Sequence, residues 1–136
     1  MSGTSGRTPL GAIEASLPNG FHDALLHAFR IEVEAGELHL VLSPDRSTGS
    51  GDHWDPHYRK ALLSLSGVKQ MQIQAIEFDA RDDLRVFLDT GDMSDRAVME
   101  AFNCELKEGQ FACWIFLGEM NANVRVIASE VTFKWL

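Results

Sequence analysis

The feature that most constrains the fold of this chain is an alternation of apolar residues on both sides of a tight turn. Apolar side chains stand at every second position before and after Ala35-Gly36, namely Phe29, Ile31, Val33, Leu38, Leu40 and Leu42. A two-residue loop at Ala35-Gly36 sets Val33 opposite Leu38, and the pairing continues to Phe29 opposite Leu42. All of these side chains then share one face. The pattern therefore predicts an antiparallel β-hairpin that packs on a core.

Later parts of the chain repeat this hairpin pattern. Apolar and polar residues alternate from Tyr58 to Ser66 and again toward the C-terminus, where the phase changes near Ile127-Ala128 and predicts a β-bulge. We therefore predict a mainly β fold, an antiparallel β-sandwich or a flattened partial barrel of about eight strands built from hairpins.

One short helix is predicted from Ser94 to Phe102. Ser94 is a favourable N-cap, Asp95 stands at the positive end of the helix dipole, and Val98 shares a face with Phe102 four residues later. The segment 9–18 is bounded by two prolines, and we predict a single turn or an edge strand there.

Length and composition indicate a single domain. The chain has 136 residues, 45% of them hydrophobic, which is sufficient for a core without metal or disulfide support. Residues 9–136 are predicted to form this domain, and residues 1–8 a disordered Ser/Thr/Gly-rich tail. No apolar run reaches the roughly 18 residues of a membrane span, and the N-terminus lacks an apolar signal core. We expect a cytoplasmic protein with no membrane partner.

The charge balance argues against nucleic acid as a partner. The net charge is −8, with 20 acidic and 12 basic residues, and the basic residues are scattered along the sequence. A phosphate-tracking surface needs clustered Lys and Arg. An acidic surface can steer a basic protein partner. The alternative is that the negative charge only keeps the protein soluble.

Two short segments contain the residue types of a functional site. His22-Asp23 precedes the central strand, and the sequence His-Trp-Asp-Pro-His lies in the long Gly- and Ser-rich loop before Tyr58. The candidate binding residues are His22, Asp23, His53, Trp54, Asp55, His57 and Tyr58. By strand parity, Asp23 and His27 are both predicted on the covered face.

A metal site is one interpretation of these residues. His53, Asp55 and His57 offer three ligands for Zn²⁺ or another divalent metal, and His22 completes the set if the loop folds back. In the alternative, the loop residues are solvated with Trp54 against the sheet edge, while His22 hydrogen-bonds a neighbouring strand. Because the spacing matches no known metal motif, we predict no metal, no cofactor and no catalytic residue.

Two cysteines lie in the last third of the chain. A two-residue loop at Glu108-Gly109 sets Cys104 opposite Cys113, whereas a type I turn with a bulge sets Cys104 opposite Ala112. Both are predicted to be reduced core thiols.

The opening Phe-His-Asp-Ala, residues 21–24, resembles that of a group of uncharacterised small bacterial β-proteins. Related patterns occur among the immunity proteins of bacterial polymorphic-toxin systems. The sequence Leu-x-Leu-Ser-Gly-Val at 63–68 and the closing Glu-Val-x-Phe at 130–133 fit the same resemblance. It implies a single β-rich domain that binds another protein, and it offers no established catalytic residues to carry over.

The functional hypothesis is therefore a non-catalytic, cytoplasmic, immunity-like module that binds another protein. The absence of a catalytic motif and the aromatic residues Trp54 and Tyr58 beside the long loop favour it, since aromatic side chains are favoured interface anchors. The alternative is a metal-dependent or small-ligand-binding enzyme that uses His22-Asp23 and the His/Asp residues of 52–57. A third interpretation is a homodimer formed through an edge strand such as the last one.

Overall fold

The structure, a computed structural model, describes residues 8–46, 58–74 and 85–136. These residues form eight strands: β1 (Ala24–Glu32), β2 (Glu37–Ser43), β3 (Ala61–Ser66), β4 (Gln70–Ile73), β5 (Val86–Asp92), β6 (Phe111–Leu117), β7 (Ala122–Ala128) and β8 (Glu130–Trp135). They also form the helices α1 (Pro9–Ser16) and α2 (Asp95–Phe102), and a 3-10 turn at Gly118–Met120.

All eight strands belong to one antiparallel sheet, in the order β4-β7-β6-β5-β1-β2-β3-β8. Within the described part of the chain, the edge strands β4 and β8 have one neighbour each, so the sheet is not closed. The predicted mainly β, antiparallel fold of about eight strands is confirmed, in its partial-barrel form.

The edge strands are continuations of strands at the opposite end of the sheet. Gly67 begins the short connection from β3 to β4, and Ser129 alone connects β7 to β8. Ladder hydrogen bonds continue across both connections, from Lys69 N to Ile127 O at 2.8 Å and from Ser129 N to Ser66 O at 3.0 Å. The two strand pairs therefore form one bent ribbon, and this bend curls the sheet around the main core.

The bend depends on a glycine. Gly67 has φ +61°, and a Cβ atom there would lie 2.8 Å from the Cβ of Ser129. Only glycine accepts both the left-handed backbone and the close approach. The irregularity at Ser129 lies one residue beyond the predicted phase change at Ile127-Ala128.

Alternate side chains of the strands fill the core. On β2 and β3 the buried residues are Leu38, Leu40, Leu42, Ala61, Leu63 and Leu65, and on β6 and β7 they include Cys113, Ile115, Val124 and Val126. The period of two on each strand is the pattern that the sequence shows.

The predicted helix at Ser94–Phe102 is confirmed. The Ser94 hydroxyl accepts a hydrogen bond from Ala97 N at 3.1 Å, and Val98 and Phe102 pack on Ala112 and Ile127 of the outer sheet face.

The prediction for the segment 9–18 was wrong, because the N-terminal segment forms a two-turn helix. Thr8, which the sequence assigned to the tail, caps α1 by accepting a hydrogen bond from Gly11 N, and Pro9 occupies the first turn. Residues 1–7 of the predicted tail lie outside the described residues. Leu10 is buried in the main core, so α1 covers one end of the curled sheet.

The central hairpin exists, but its predicted register was wrong by two residues. Ile31 pairs with Leu38, the turn spans four residues, and Val33 is 84% exposed. A shift of two residues keeps every side chain on its face, so the alternation could not distinguish the two registers. The left-handed Gly36, whose N–H donates to Val33 O at 3.3 Å, fits the longer turn.

Both predicted pairings of the cysteines were wrong. Cys113 on β6 lies in the main core, whereas Cys104 packs in the cluster beneath α2, on the other side of the sheet. β6 pairs instead with β5 and β7, and Cys113 stands opposite Asp92 and Val126. Sequence proximity suggested a hairpin with the segment of Cys104, but β6 forms its hairpin with β7, the next strand, and pairs on its other side with β5.

Candidate functional site

His22 and Asp23 lie in the turn that leads into β1. Phe21 anchors this turn in the core at 1% exposure, and backbone bonds from His22 N to Asn19 O and from Ala24 N to Phe21 O hold it. Asp23 has φ +56°, a left-handed conformation that Asp tolerates better than most residues. This backbone directs both side chains outward, and His27 is exposed as well, so the parity prediction that Asp23 and His27 lie on the covered face was wrong.

His22 is placed between two carboxylates. Its Nδ1 lies 3.2 Å from Asp89 Oδ2 on β5, and its Nε2 lies 3.4 Å from Asp23 Oδ2. The hydrogen bond to Asp89, followed by the charge of Asp23, raises the pKa of His22 above its ordinary value. The predicted hydrogen bond from His22 to a neighbouring strand is confirmed.

Further carboxylates continue this surface along β5 and α1, and we call Glu14, Asp23, Asp89 and Asp92 the acidic ledge. Thr8 Oγ1 donates to Asp92 Oδ1 at 2.6 Å, and Thr90 Oγ1 donates to Glu14. Burial raises the pKa of Glu14, with the charges of Asp92 and Asp89 acting in the same direction. These contacts fix α1 against β5, so part of the ledge is structural.

Tyr58 lies on the other side of Asp23. It forms an isolated bridge with the buried Asp45, which joins the end of β2 to the residues before β3. Burial raises the pKa of Tyr58, and the charges of Asp45 and Asp23 add to the effect. Because Tyr58 forms only this isolated bridge, the strand that was predicted to begin at Tyr58 begins at Ala61 instead. His22, Asp23 and Tyr58 gather at one end of the sheet.

The other predicted site residues, His53, Trp54, Asp55 and His57, lie outside the described residues. The described ranges contain no group of three or more His, Cys, Asp or Glu side chains that could hold a metal ion. The metal-dependent alternative, which needs the His-Trp-Asp-Pro-His segment, stays a prediction.

A second cluster at this end combines one tryptophan with two arginines, and we call Arg46, Arg59 and Trp135 the Trp135 patch. The guanidinium carbon of Arg59 lies 5.1 Å from the centroid of the Trp135 ring and that of Arg46 lies 5.8 Å from it. Both distances are within the range of cation–π attraction. The patch is therefore a cationic surface built on an aromatic base.

Packing holds the Trp135 ring in place. Trp135 pairs with Ala61 across β8 and β3, and its ring meets Phe133 edge to face with centroids 4.9 Å apart. Phe133 in turn contacts the buried Phe21 at 5.9 Å. This aromatic row leads from the core to the surface, so the patch rests on a rigid base.

Local charge at the patch is opposite to that of the whole chain. Arg46 and Arg59 place two positive charges over the ring of one tryptophan, in a chain of net charge −8. The sequence analysis did not predict this site, because the alternation around Trp135 indicates the end of a core strand. The available signal was an arginine at each end of the long loop.

No protein-family model matches this sequence, and no curated protein matches it. Among the described residues, no helix has the length and apolar character needed to span a membrane.

Proposed function

We propose that this protein is a non-catalytic, cytoplasmic module that binds another protein through the Trp135 patch. The observation that carries the proposal is the placement of the Arg46 and Arg59 guanidinium groups over one indole ring. Neither arginine forms an ion pair with another described residue. Trp and Arg are the residue types that contribute most to binding at protein interfaces.

The local charge favours an acidic segment of the partner. A guanidinium group that stacks on an aromatic ring keeps its N–H edge available for a carboxylate, which it binds with two parallel hydrogen bonds. Nucleic acid would place many phosphates against a chain of net charge −8. A carboxylate side chain beside an apolar one fits the combination of Arg46, Arg59 and Trp135 better.

The basic partner suggested by overall composition has a different place to bind. The acidic ledge presents Asp23 and Asp89, with side chains 67% and 43% exposed, close to His22. A partner that carries both charges would contact the ledge and the Trp135 patch together. An immunity-like role, in which the module covers the surface of a toxin, belongs to the same class of function.

Peptide binding tests the proposal. The probe is a fluorescein-labelled decapeptide of alternating Glu and Leu, titrated with the full chain and followed by anisotropy. We expect saturable binding that weakens as salt is raised, because exposed charge pairs are screened. Arg46→Glu and Arg59→Glu should each weaken binding at least tenfold, since each reverses a charge at the patch.

Arg96→Glu is the matched control, because Arg96 is 90% exposed on α2 and pairs only with Glu100 among the described residues. It makes the same charge change away from the patch and should leave peptide affinity within twofold of wild type. A second probe has Lys in place of Glu. The proposal is wrong if all three Arg variants weaken the acidic peptide equally, or if only the Lys peptide binds.

A further inference from the structure

A cleft lies where β1 extends past the first residue of β5. The described pairing of the two strands runs from Ala24 to Leu26, and Val86, the partner of Leu26, is the first residue of β5. At His27 the register of β1 against β2 shifts by a bulge, and from Ala28 onward the described pairing of β1 is with β2 alone. Bulges bend a strand away from its neighbour. The gap lies at the opposite end of β5 from Asp92, away from α1.

The cleft reaches the main core. Its volume is about 400 Å³, and it is lined by Leu26, His27, Ala28, Phe29, Val86, Leu117, Met120 and Val124. Leu117 and Val124 form the floor, at 2% and 0% exposure, while Ala28 is exposed at the rim. Mouths of curled β-sheets are common places for small-molecule sites, and this volume lies in the range of such sites.

We infer that this cleft binds a small, uncharged, apolar molecule. None of the lining residues in the described part of the chain carries a formal charge, and His27 alone is polar. A charged group would lose its hydration there without a compensating partner among these described residues, whereas apolar surface gains about 25 cal/mol per Å² on burial. A cavity of about 150 Å³ holds benzene, so the same ratio gives room for about fifteen non-hydrogen atoms.

His27 does not offer a cation at the rim. Its Nε2 lies 2.7 Å from Ser43 Oγ on β2, which holds the ring against the outer sheet face. Burial, followed by the charge of Lys60, lowers the pKa of His27 below its ordinary value of 6.5. The ring is therefore neutral at pH 7 and can exchange a single hydrogen bond with a hydroxyl or carbonyl of the ligand.

A neutral fluorescent probe tests this inference. N-phenyl-1-naphthylamine should bind the full chain saturably with one site, and 1-decanol should displace it at a concentration at least tenfold lower than decanoate does. Thermal melts should show a higher Tm at saturating decanol, because a ligand that binds the folded state stabilises it.

Two substitutions locate the site. Ala28→Trp fills the cleft from its rim and should weaken probe binding at least tenfold. Ala35→Trp adds the same side chain in the exposed turn between β1 and β2 and should bind the probe like wild type. Met120→Phe narrows the cleft from the opposite wall and should also weaken binding.

Three results would overturn the inference: no saturable binding by the wild-type chain, equal binding by Ala28→Trp and Ala35→Trp, or displacement by decanoate as effective as by decanol. The inference is independent of the Trp135 patch, since Ala28 and Met120 are not part of that patch. Failure of one therefore leaves the other standing.

Discussion

Gly67→Ala should destabilise the fold more than a glycine substitution elsewhere, because Gly67 packs closely against Ser129 at the bend of the ribbon. The alanine would have to adopt φ +61°, which costs an L-residue about 1–2 kcal/mol. Its Cβ would also lie 2.8 Å from the Cβ of Ser129, an atom that no side-chain rotation can move away. Overpacking of this kind costs about 1–3 kcal/mol. The free energy of unfolding should therefore fall by about 2–5 kcal/mol.

Gly109→Ala separates the two contributions. Gly109 has φ +81°, and no atom lies within 4 Å of the position that its Cβ would occupy. The substitution thus carries the backbone cost of about 1–2 kcal/mol without the clash, and its effect on the unfolded chain is the same. Urea unfolding followed by circular dichroism, with a two-state fit, gives both values.

Ser129→Gly provides a second control, because it removes the Cβ that Gly67→Ala would meet. In that background Gly67→Ala should cost no more than Gly109→Ala does in the wild type. Equal costs for Gly67→Ala and Gly109→Ala in the wild-type background would refute the close packing of Gly67 against Ser129 at the bend.

Three further predictions concern the register, the thiols and the pH dependence. Val33→Ala should change the free energy of unfolding in urea by less than about 0.5 kcal/mol, because Val33 is 84% exposed. A larger loss of stability would support the two-residue turn instead, in which Val33 pairs with Leu38. Burial raises the pKa of Cys113 to about 12, so an aromatic disulfide reagent at pH 8 should modify Cys104 alone in the folded chain, and rapid modification of two thiols would contradict this. NMR titration should place the pKa of His22 above 6.5 because of its hydrogen bond to Asp89. The small stabilisation of the fold by this bond is then complete below pH 6.5 and is lost as the pH rises through the pKa of the folded state. A His22 pKa at the ordinary value would exclude the contact.

Local patterns in the sequence were sufficient to predict individual strands and helices. The alternation across Leu38 and Leu40 predicts a strand with one buried face, and both residues are fully buried. The Ser94 cap and the apolar pair Val98 and Phe102 predict α2, since capping and spacing of four are set within one helix. Thr8 and Pro9 form a capping signal of the same kind at the start of α1.

Non-local pairing limits what the same patterns can predict. The partner of Cys113 on β5 lies on the other side of α2 in the chain, and a local hairpin with Cys104 satisfied the alternation equally well. The Trp135 patch joins Arg46, Arg59 and Trp135, which only the β3–β8 pairing brings together. Such a site has no contiguous motif, so the sequence pointed to the loop between the two arginines instead.

The most direct test of the proposed binding surface is an NMR titration of the full chain with the alternating Glu/Leu decapeptide. The indole N–H of Trp135 should shift progressively, whereas that of Trp114, which packs over Gly91 on the outer face of β5 and β6, should not move. A shift of Trp114 with Trp135 unchanged would contradict the proposal, as would shifts confined to His22 and the acidic ledge on addition of this Glu/Leu peptide.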